Sequence, residues 1–305
     1  MTWRVVSVLH RAKLDYKMGY LEIRQGNSFS KVHLSEIATI IIESTAVSLT
    51  TYLINELIAK KINVLFCDEK HLPSSVLAPL YGSYDSSFKV KKQVEWASSL
   101  KSEIWQSIVT EKILNQAKVL ASFGHELTAI QLVGYSDEVM LGDASNREGF
   151  AAKVYFNSLL GQDFSRNLDS FTNSALNYGY SILMSAFARA IYSCGCITQL
   201  GIWHRGASNN FNFACDLMEP FRPVIDLEVI GCKFNSFDKE EKRAIKNILN
   251  KELLFEGQKQ YLNNIIPSYT RSVIDSLNSN DISYKRIFLL FFFAGNVLLS
   301  CISTT

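Results

Sequence analysis

The chain has 305 residues, 48% hydrophobic and 20% charged, enough apolar material for a sizeable core in one or two domains, which excludes a disordered class. Its 15 glycines and 5 prolines exclude collagen-like and low-complexity architectures. A formal net charge of +2 excludes a histone-like polybasic protein, so any anion-binding surface must come from the local placement of charge.

Arg4–Leu9 is a short β-branched run and reads as a strand. Lys13–Met18 and Tyr20–Arg24 alternate around Gly19, as in a hairpin. Gln25-Gly26-Asn27 signals a turn, and Lys31–Leu34 and Thr39–Glu43 read as strands. Ser48 is the expected N-cap of a helix over Leu49–Lys60, whose Leu49, Leu53, Leu57 and Ile58 share one face. Asn63–Cys67 is a buried-strand run. Residues 1–78 are therefore expected to form an N-terminal β domain with one helix.

Pro73, Pro79 and the stretch Tyr81–Ser87 mark a linker, placed at 79–92. Beyond it the pattern turns helical. Trp96, Leu100, Ile104, Ile108, Ile113, Leu114 and Ala117 recur at helical spacing within Gln93–Ser122. Similar patterns cover Gly149–Leu160, Leu176–Cys194, Asp238–Leu254 and Gln258–Leu277. The expected class is α+β, with the β-rich domain followed by an all-helical C-terminal domain over 93–286. Ile287–Ile302 is almost wholly apolar but interrupted by Asn296, and its sixteen residues fall short of the ~20 that span a bilayer. The 287–305 tail is expected to pack on the body or on a partner chain, not to tether an adaptor to a membrane.

The six cysteines, Cys67, Cys194, Cys196, Cys215, Cys232 and Cys301, contain no CxxC pair. Buried free thiols in a reducing compartment are expected. The first residues show no basic stretch followed by an apolar run, so the expected location is cytoplasmic. Residues 1–92 carry twelve Lys and Arg against eight Asp and Glu, and the remainder nineteen against twenty-one. Neither half declares nucleic-acid binding by charge alone.

The densest polar constellation lies between 146 and 226. Ser145 or Asn146 can cap a helix, which puts Glu148 in its first turn, where the helix dipole favours a carboxylate. The small residues Gly149, Ala151 and Ala152 also leave room for a ligand beside Glu148, and Tyr155 follows seven positions on, on the same face. His204 and Glu219 come later, and Asp216 and Glu219 share one helical face. Pro220 and Pro223 make the backbone at Glu219 non-ideal. Helix-end punctuation and a structural histidine account for these residues as well as a site does. Taken together, two carboxylates and an imidazole suit Mg2+ or Mn2+ better than zinc. Of the six basic residues between 147 and 222, five are Arg (Arg147, Arg166, Arg189, Arg205, Arg222) and one is Lys153. A guanidinium fork fits phosphate oxygens, although salt bridges to Asp163, Asp169 and Asp216 are the structural alternative.

Asn146-Arg147-Glu148-Gly149, with Ala151-Ala152 and Tyr155-Phe156 after it, resembles the central motif of the CRISPR-associated integrase family, whose type member is the first-numbered CRISPR-associated protein. Asn209-Asn210-Phe211-Asn212-Phe213-Ala214 and Asp216-Leu217-Met218-Glu219-Pro220-Phe221-Arg222-Pro223 are similar to two further blocks, with His204 placed before them. Met218–Pro223, Leu34-Ser35-Glu36-Ile37, Phe66-Cys67-Asp68 and Leu72-Pro73 look like the type II-A branch. The resemblance covers about 3–286 and leaves the tail outside it.

The resemblance implies a β domain followed by a helical domain, and a metal site made by Glu148, His204 and Glu219, the third ligand being often Asp elsewhere in the family. It implies a homodimer, with two dimers bridged by the second CRISPR-associated protein. Other adaptation accessory proteins and the RNA-guided effector nuclease are further expected partners. The implied reaction is strand transfer, in which the 3′-hydroxyl of a double-stranded DNA fragment attacks a phosphodiester at the border of CRISPR repeat DNA. Arg147, Arg205 and Arg222 are the expected phosphate contacts, and Lys153, Tyr155 and Tyr178 further DNA contacts. A metal-dependent nuclease on branched or single-stranded DNA and a non-catalytic DNA-binding scaffold are the rival readings.

Overall fold

The computed structural model describes residues 4–69, 71–80, 84–232 and 236–291. In chain order the first half runs β1 (Arg4–Val8), β2 (Ala12–Lys17), β3 (Tyr20–Gln25), β4 (Ser28–His33), β5 (Ile37–Ile42), β6 (Val47–Leu49), α1 (Thr51–Ala59), β7 (Asn63–Cys67) and β8 (Pro73–Val76). These strands make two four-stranded sheets, ordered β1-β5-β7-β8 and β4-β3-β2-β6. β5 is buried on both faces because it lies between two parallel neighbours, β1 and β7, which is why its sequence is an almost unbroken Ile run. The β2–β3 hairpin turns at Met18 and Gly19, whose φ angles are 48° and 86°. This two-residue turn matches the strand twist, and Gly19 adopts it without a Cβ clash.

Ser48 does not cap α1. It pairs with Lys13 in the β2–β6 ladder, and the helix starts later, where the Thr50 hydroxyl accepts the Leu53 N–H at 3.3 Å. α1 buries Leu53 and Leu57 in the core of this half.

The second half contains α2 (Ser86–Glu95), α3 (Ser98–Ser122), α4 (Glu126–Asp137), α5 (Arg147–Leu160), α6 (Phe171–Ser193), α7 (Asn212–Met218), α8 (Arg222–Cys232), α9 (Lys239–Lys246), β9 (Glu252–Phe255), β10 (Gln258–Tyr261) and α10 (Leu262–Ser279). Helix α2 begins inside the stretch read as linker, whose Tyr81, Gly82 and Ser83 lie outside the described residues. The expectation of an all-helical second domain is corrected by the β9–β10 hairpin, which turns at Glu256 and Gly257 with φ 51° and 76°. It interrupts two stretches read as continuous helix, because Glu256-Gly257 is a local turn pair that apolar spacing does not register. Ser170 starts α6 ahead of its expected first residue by accepting the Asn173 N–H at 3.2 Å.

Helix α3 has buried residues all round its circumference, since α4, α5, α8 and α10 pack about it. The two halves are joined by the Asn63 Nδ2 hydrogen bond to Ser185 Oγ (3.0 Å), by the buried Lys246–Glu43 ion pair, and by Arg189 donating to the Lys61 carbonyl at 2.9 Å.

After α10 the chain lies extended against α3. Phe288 is fully buried and stacks on Phe221, with ring centroids 3.9 Å apart and planes 9° from parallel. Asn115 donates to the Phe288 carbonyl at 3.0 Å and accepts the Leu290 N–H at 2.8 Å. The start of the apolar tail therefore packs on the body, and residues 292–305 lie outside the described ones. Among the described residues no helix is long and apolar enough to cross a membrane. Cys67, Cys194, Cys196 and Cys215 are free, and Cys301 lies outside the described residues.

Candidate metal centre

Helix α5 delivers Glu148. Its N-terminus is not capped by Ser145 or Asn146. Asn146 is left-handed (φ 51°) with no side-chain cap bond, and Ser145 donates instead to the Glu138 carbonyl at 3.0 Å. The cap is Asp143, whose Oδ1 accepts the Arg147 N–H at 2.8 Å and whose Oδ2 accepts the Glu148 N–H at 3.1 Å.

Glu219 comes from the junction of α7 and α8, where the Glu219–Phe221 turn carries Pro220 at its start. Glu148 and Glu219 converge on one cation. Lys112 Nζ, from the middle of α3, lies 2.6 Å from Glu148 Oε1 and 2.5 Å from Glu219 Oε2. Arg222 Nε is 2.9 Å from the other oxygen of Glu219. Burial pushes the Glu219 carboxyl up, but Arg222 and Lys112 outweigh it and hold it below the usual carboxylate range. Burial likewise pulls Lys112 down, and the two glutamates more than restore its charge.

His204 is held from behind by Asp216. The carboxylate accepts the Nδ1 hydrogen at 2.6 Å and the N–H groups of Ile202, Trp203 and His204 at 2.5, 3.1 and 2.9 Å. Gly201 makes this clamp possible, because a Cβ there would sit 2.6 Å from Asp216 Oδ2. Burial raises the Asp216 carboxyl, but with four donors on it the charged form is the one that the geometry stabilises. The Asp216 hydrogen bond raises His204 against the opposing effect of burial, and Glu219 and Glu148 add to the rise. Because Nδ1 is committed to Asp216, Nε2 is the ring nitrogen left to bind elsewhere, the arrangement usual for a metal-binding imidazole.

Among the described residues no group of three or more His, Cys, Asp and Glu side chains forms a ready metal cage. At the Glu148–Glu219 pair Lys112 occupies the place between the carboxylates. The donor set nonetheless fits a hard divalent cation, since two carboxylate oxygens already share one positive charge and an imidazole oriented by a third carboxylate feels them both.

The remaining expected DNA contacts divide. Lys153 and Arg205 are exposed. Arg147 pairs with Glu138 at 2.7 Å and lies over the Tyr135 and Phe150 rings. Arg222 is spent on Glu219 and on the Tyr180 ring, 4.7 Å from its centroid. Tyr155 and Tyr178 are corrected as stacking residues. Both are buried core side chains, at 0% and 1% exposure, with no ring face for a base. Asp216 is not an arginine partner, because it is committed to His204.

Lys112, Asp143 and Asp216 are the site residues that sequence reasoning missed as such. The available signal for Lys112 was the set Glu111, Lys112, Asn115 and Gln116, all buried, inside a helix otherwise read by its apolar spacing.

The chain is 40% identical over 231 residues to "CRISPR-associated endonuclease Cas1" of Neisseria meningitidis serogroup C (strain 8013), covering 75% of this chain and 76% of that protein. Two solved structures share the fold. "Casposase bound to integration product" matches with a TM-score of 0.73 at 21% identity, covering 92% of each chain. "Cas6-RT-Cas1--Cas2 complex" matches with a TM-score of 0.73 at 16% identity, covering 94% of this chain and 36% of that one. The family model described as "CRISPR associated protein Cas1" matches residues 6–263, and the chain belongs to that family.

Proposed function

We propose that this chain is a metal-dependent DNA integrase of CRISPR adaptation, joining the 3′-hydroxyl of a short double-stranded fragment to a phosphodiester at a repeat border. The observation that carries this reading is the convergence of Glu148 and Glu219 on a single cation, with His204, held by Asp216, near enough to feel the charge of both. Glu148, His204 and Glu219 would hold Mg2+ or Mn2+. When bound, such an ion lowers the pKa of an attacking hydroxyl and neutralises charge on the phosphate.

The chain's own residues do the rest. Asp216 keeps His204 in the tautomer that presents Nε2. Arg222 fixes the second oxygen of Glu219. Arg205 and Lys153, exposed, and Arg147, beside the α5 N-terminus, supply positive charge for the DNA backbone. Met218–Pro223 supports the type II-A branch. A homodimer, with two dimers bridged by the second CRISPR-associated protein, is the assembly that goes with this activity, and one fold neighbour is a Cas6-RT-Cas1--Cas2 complex. Other adaptation proteins and the effector nuclease are the further partners in this reading.

The test is strand transfer with purified protein, a fragment bearing a free 3′-hydroxyl, and repeat DNA. Glu148→Gln, His204→Ala and Glu219→Gln are each expected to lose at least a hundredfold in rate while keeping cooperative unfolding. Joined product from the triple variant would refute the site. Cleavage that persists when the 3′-hydroxyl is blocked would favour the nuclease reading, in which water is the nucleophile.

A further inference from the structure

Between His204 and Arg205 on one side and helix α3 on the other lies an aromatic surface that takes no part in holding a metal. Trp203, immediately before His204, is 42% exposed. One face of its ring is stacked on the fully buried Trp105, with centroids 5.6 Å apart and planes 8° from parallel. Its six-membered edge runs against Gly142, where a Cβ would sit 3.1 Å from the ring. The open area is therefore on the side away from Trp105. The ring is firmly mounted, because the Trp203 backbone N–H is held by Asp216 and the ring rests on the buried Trp105. A large apolar face, preset and presented to water beside a reactive centre, suits a flat ligand.

Two cations flank the stack, Arg205 two residues after Trp203 and Lys101 one helical turn before Trp105 on α3. Lys101 is half-buried and Arg205 is exposed, and neither has an ion-pair partner among the described residues. They are close enough that Arg205 adds to the effect of burial in lowering Lys101. Two like charges held together without a counter-ion invite an anion.

Helix α3 orders these groups. Lys101, Trp105 and Lys112 fall on one helical face, four and eleven residues apart, so the axial rise from the first to the last is about 16 Å. One stripe thus runs from the unpaired cations, under the Trp203–Trp105 stack, to the two glutamates. That order is phosphate, base, reactive centre, over a length of a few nucleotides.

We propose that Trp203 is a stacking platform for an unpaired DNA base next to the reacting phosphodiester, and that Lys101 and Arg205 hold the phosphate on its far side. Only an unpaired or frayed base can lie flat on a single indole face, so the ligand is single-stranded DNA at a fragment end or at the opened target. The inference rests on the DNA-joining reading above.

The test uses full-length protein and DNA carrying 2-aminopurine, whose fluorescence is quenched by stacking. The label is placed either in the 3′ single-stranded end of a fragment or beside the repeat border, which separates the two sources of the base. Quenching is expected on binding for one position, and Trp203→Ala is expected to abolish it and to weaken binding of that DNA about tenfold. Trp203→Phe is expected to restore part of both. A blunt duplex with no unpaired base is expected to change less than twofold. Lys101→Gln is expected to lower the salt dependence of binding by about one counter-ion. Unchanged quenching in Trp203→Ala, or equal weakening for blunt and single-stranded ends, overturns the platform alone. If the wild-type protein binds neither DNA, the DNA-joining reading falls and the platform with it.

Discussion

Lys112 stands opposite Glu219, Nζ to Oε2 at 2.5 Å, and grips Glu148 with the same ammonium. The ammonium and a divalent cation compete for the same oxygens. Lys112→Met removes the competitor and leaves two carboxylates facing each other, one of them buried. Without metal the variant is expected to lose about 3–5 kcal/mol of stability, the cost of breaking a buried ion pair. Added Mn2+ is expected to return most of that loss and to bind more tightly than to the wild type. Calorimetric Mn2+ titrations and melting curves with and without Mn2+ check both. Weaker Mn2+ binding in the variant would mean that Lys112 is a strut of the metal site, not its rival.

Asp216 sets the charge state of His204. The histidine is raised above its ordinary pKa by the Asp216 hydrogen bond, so its protonation stabilises the fold. That contribution is fully present below about pH 6.5, the unfolded value, and is lost as pH rises through the folded one. A metal needs the neutral ring, so Mn2+ affinity is expected to fall as pH drops through the raised value. In Asp216→Asn the imidazole loses its anionic partner. The fall is then expected at lower pH, and affinity at pH 8 drops by about 10- to 100-fold. Imidazole titration by NMR and Mn2+ binding between pH 5 and 8 are the measurements, and a shift toward higher pH rules the assignment out.

How much of this was legible in the chain follows from range. The Gly19 hairpin, the Ile-rich β5 and the helical runs of α5 and α6 arise from local pattern, and the sequence blocks around Glu148, His204 and Glu219 point to the site. The Asp143 cap was hidden because it acts across the left-handed Asn146 on N–H groups four and five residues away. Lys112 was hidden because it lies 36 residues before one of its partners and 107 before the other. Tyr155 and Tyr178 show the limit of residue type, since an aromatic ring suits a core as well as a base and only packing decides.

Asp226 is a buried carboxyl that receives the Tyr180 hydroxyl at 2.5 Å, and Tyr180 in turn lies beneath the Arg222 guanidinium. Burial raises it from the usual carboxylate range to about 6. A raised acid contributes stability that is fully present below its unfolded pKa and is lost as pH rises through about 6. The protein is therefore expected to unfold more easily at pH 7.5 than at pH 5, by about 1–1.5 kcal/mol from this group, the rest of its effect falling below pH 5. Asp226→Asn, which cannot ionise, is expected to flatten that part of the profile. Urea unfolding of both proteins at the two pH values decides, and equal slopes would remove Asp226 as the cause.

Phe288 lies beyond the stretch matched by the family model, yet it packs behind a candidate ligand. Its ring stacks on Phe221, two residues after Glu219, and its N–H donates to the buried Glu111 at 2.9 Å. Asn115 ties the same segment together, donating to both the Pro220 and Phe288 carbonyls at 2.8 and 3.0 Å. Phe288→Ala leaves a cavity against Phe221 and is expected to cost about 3–5 kcal/mol, with Phe288→Leu costing less. The loss should be felt locally. Hydrogen exchange over Glu219–Arg222 is expected to quicken at least tenfold, while the sheet holding β5 keeps its protection. A variant of equal stability loss in the other core, Leu53→Ala, serves as the control, because α1 packs away from the site. If Leu53→Ala quickens exchange at Glu219–Arg222 as much as Phe288→Ala does, the tail contributes only general stability.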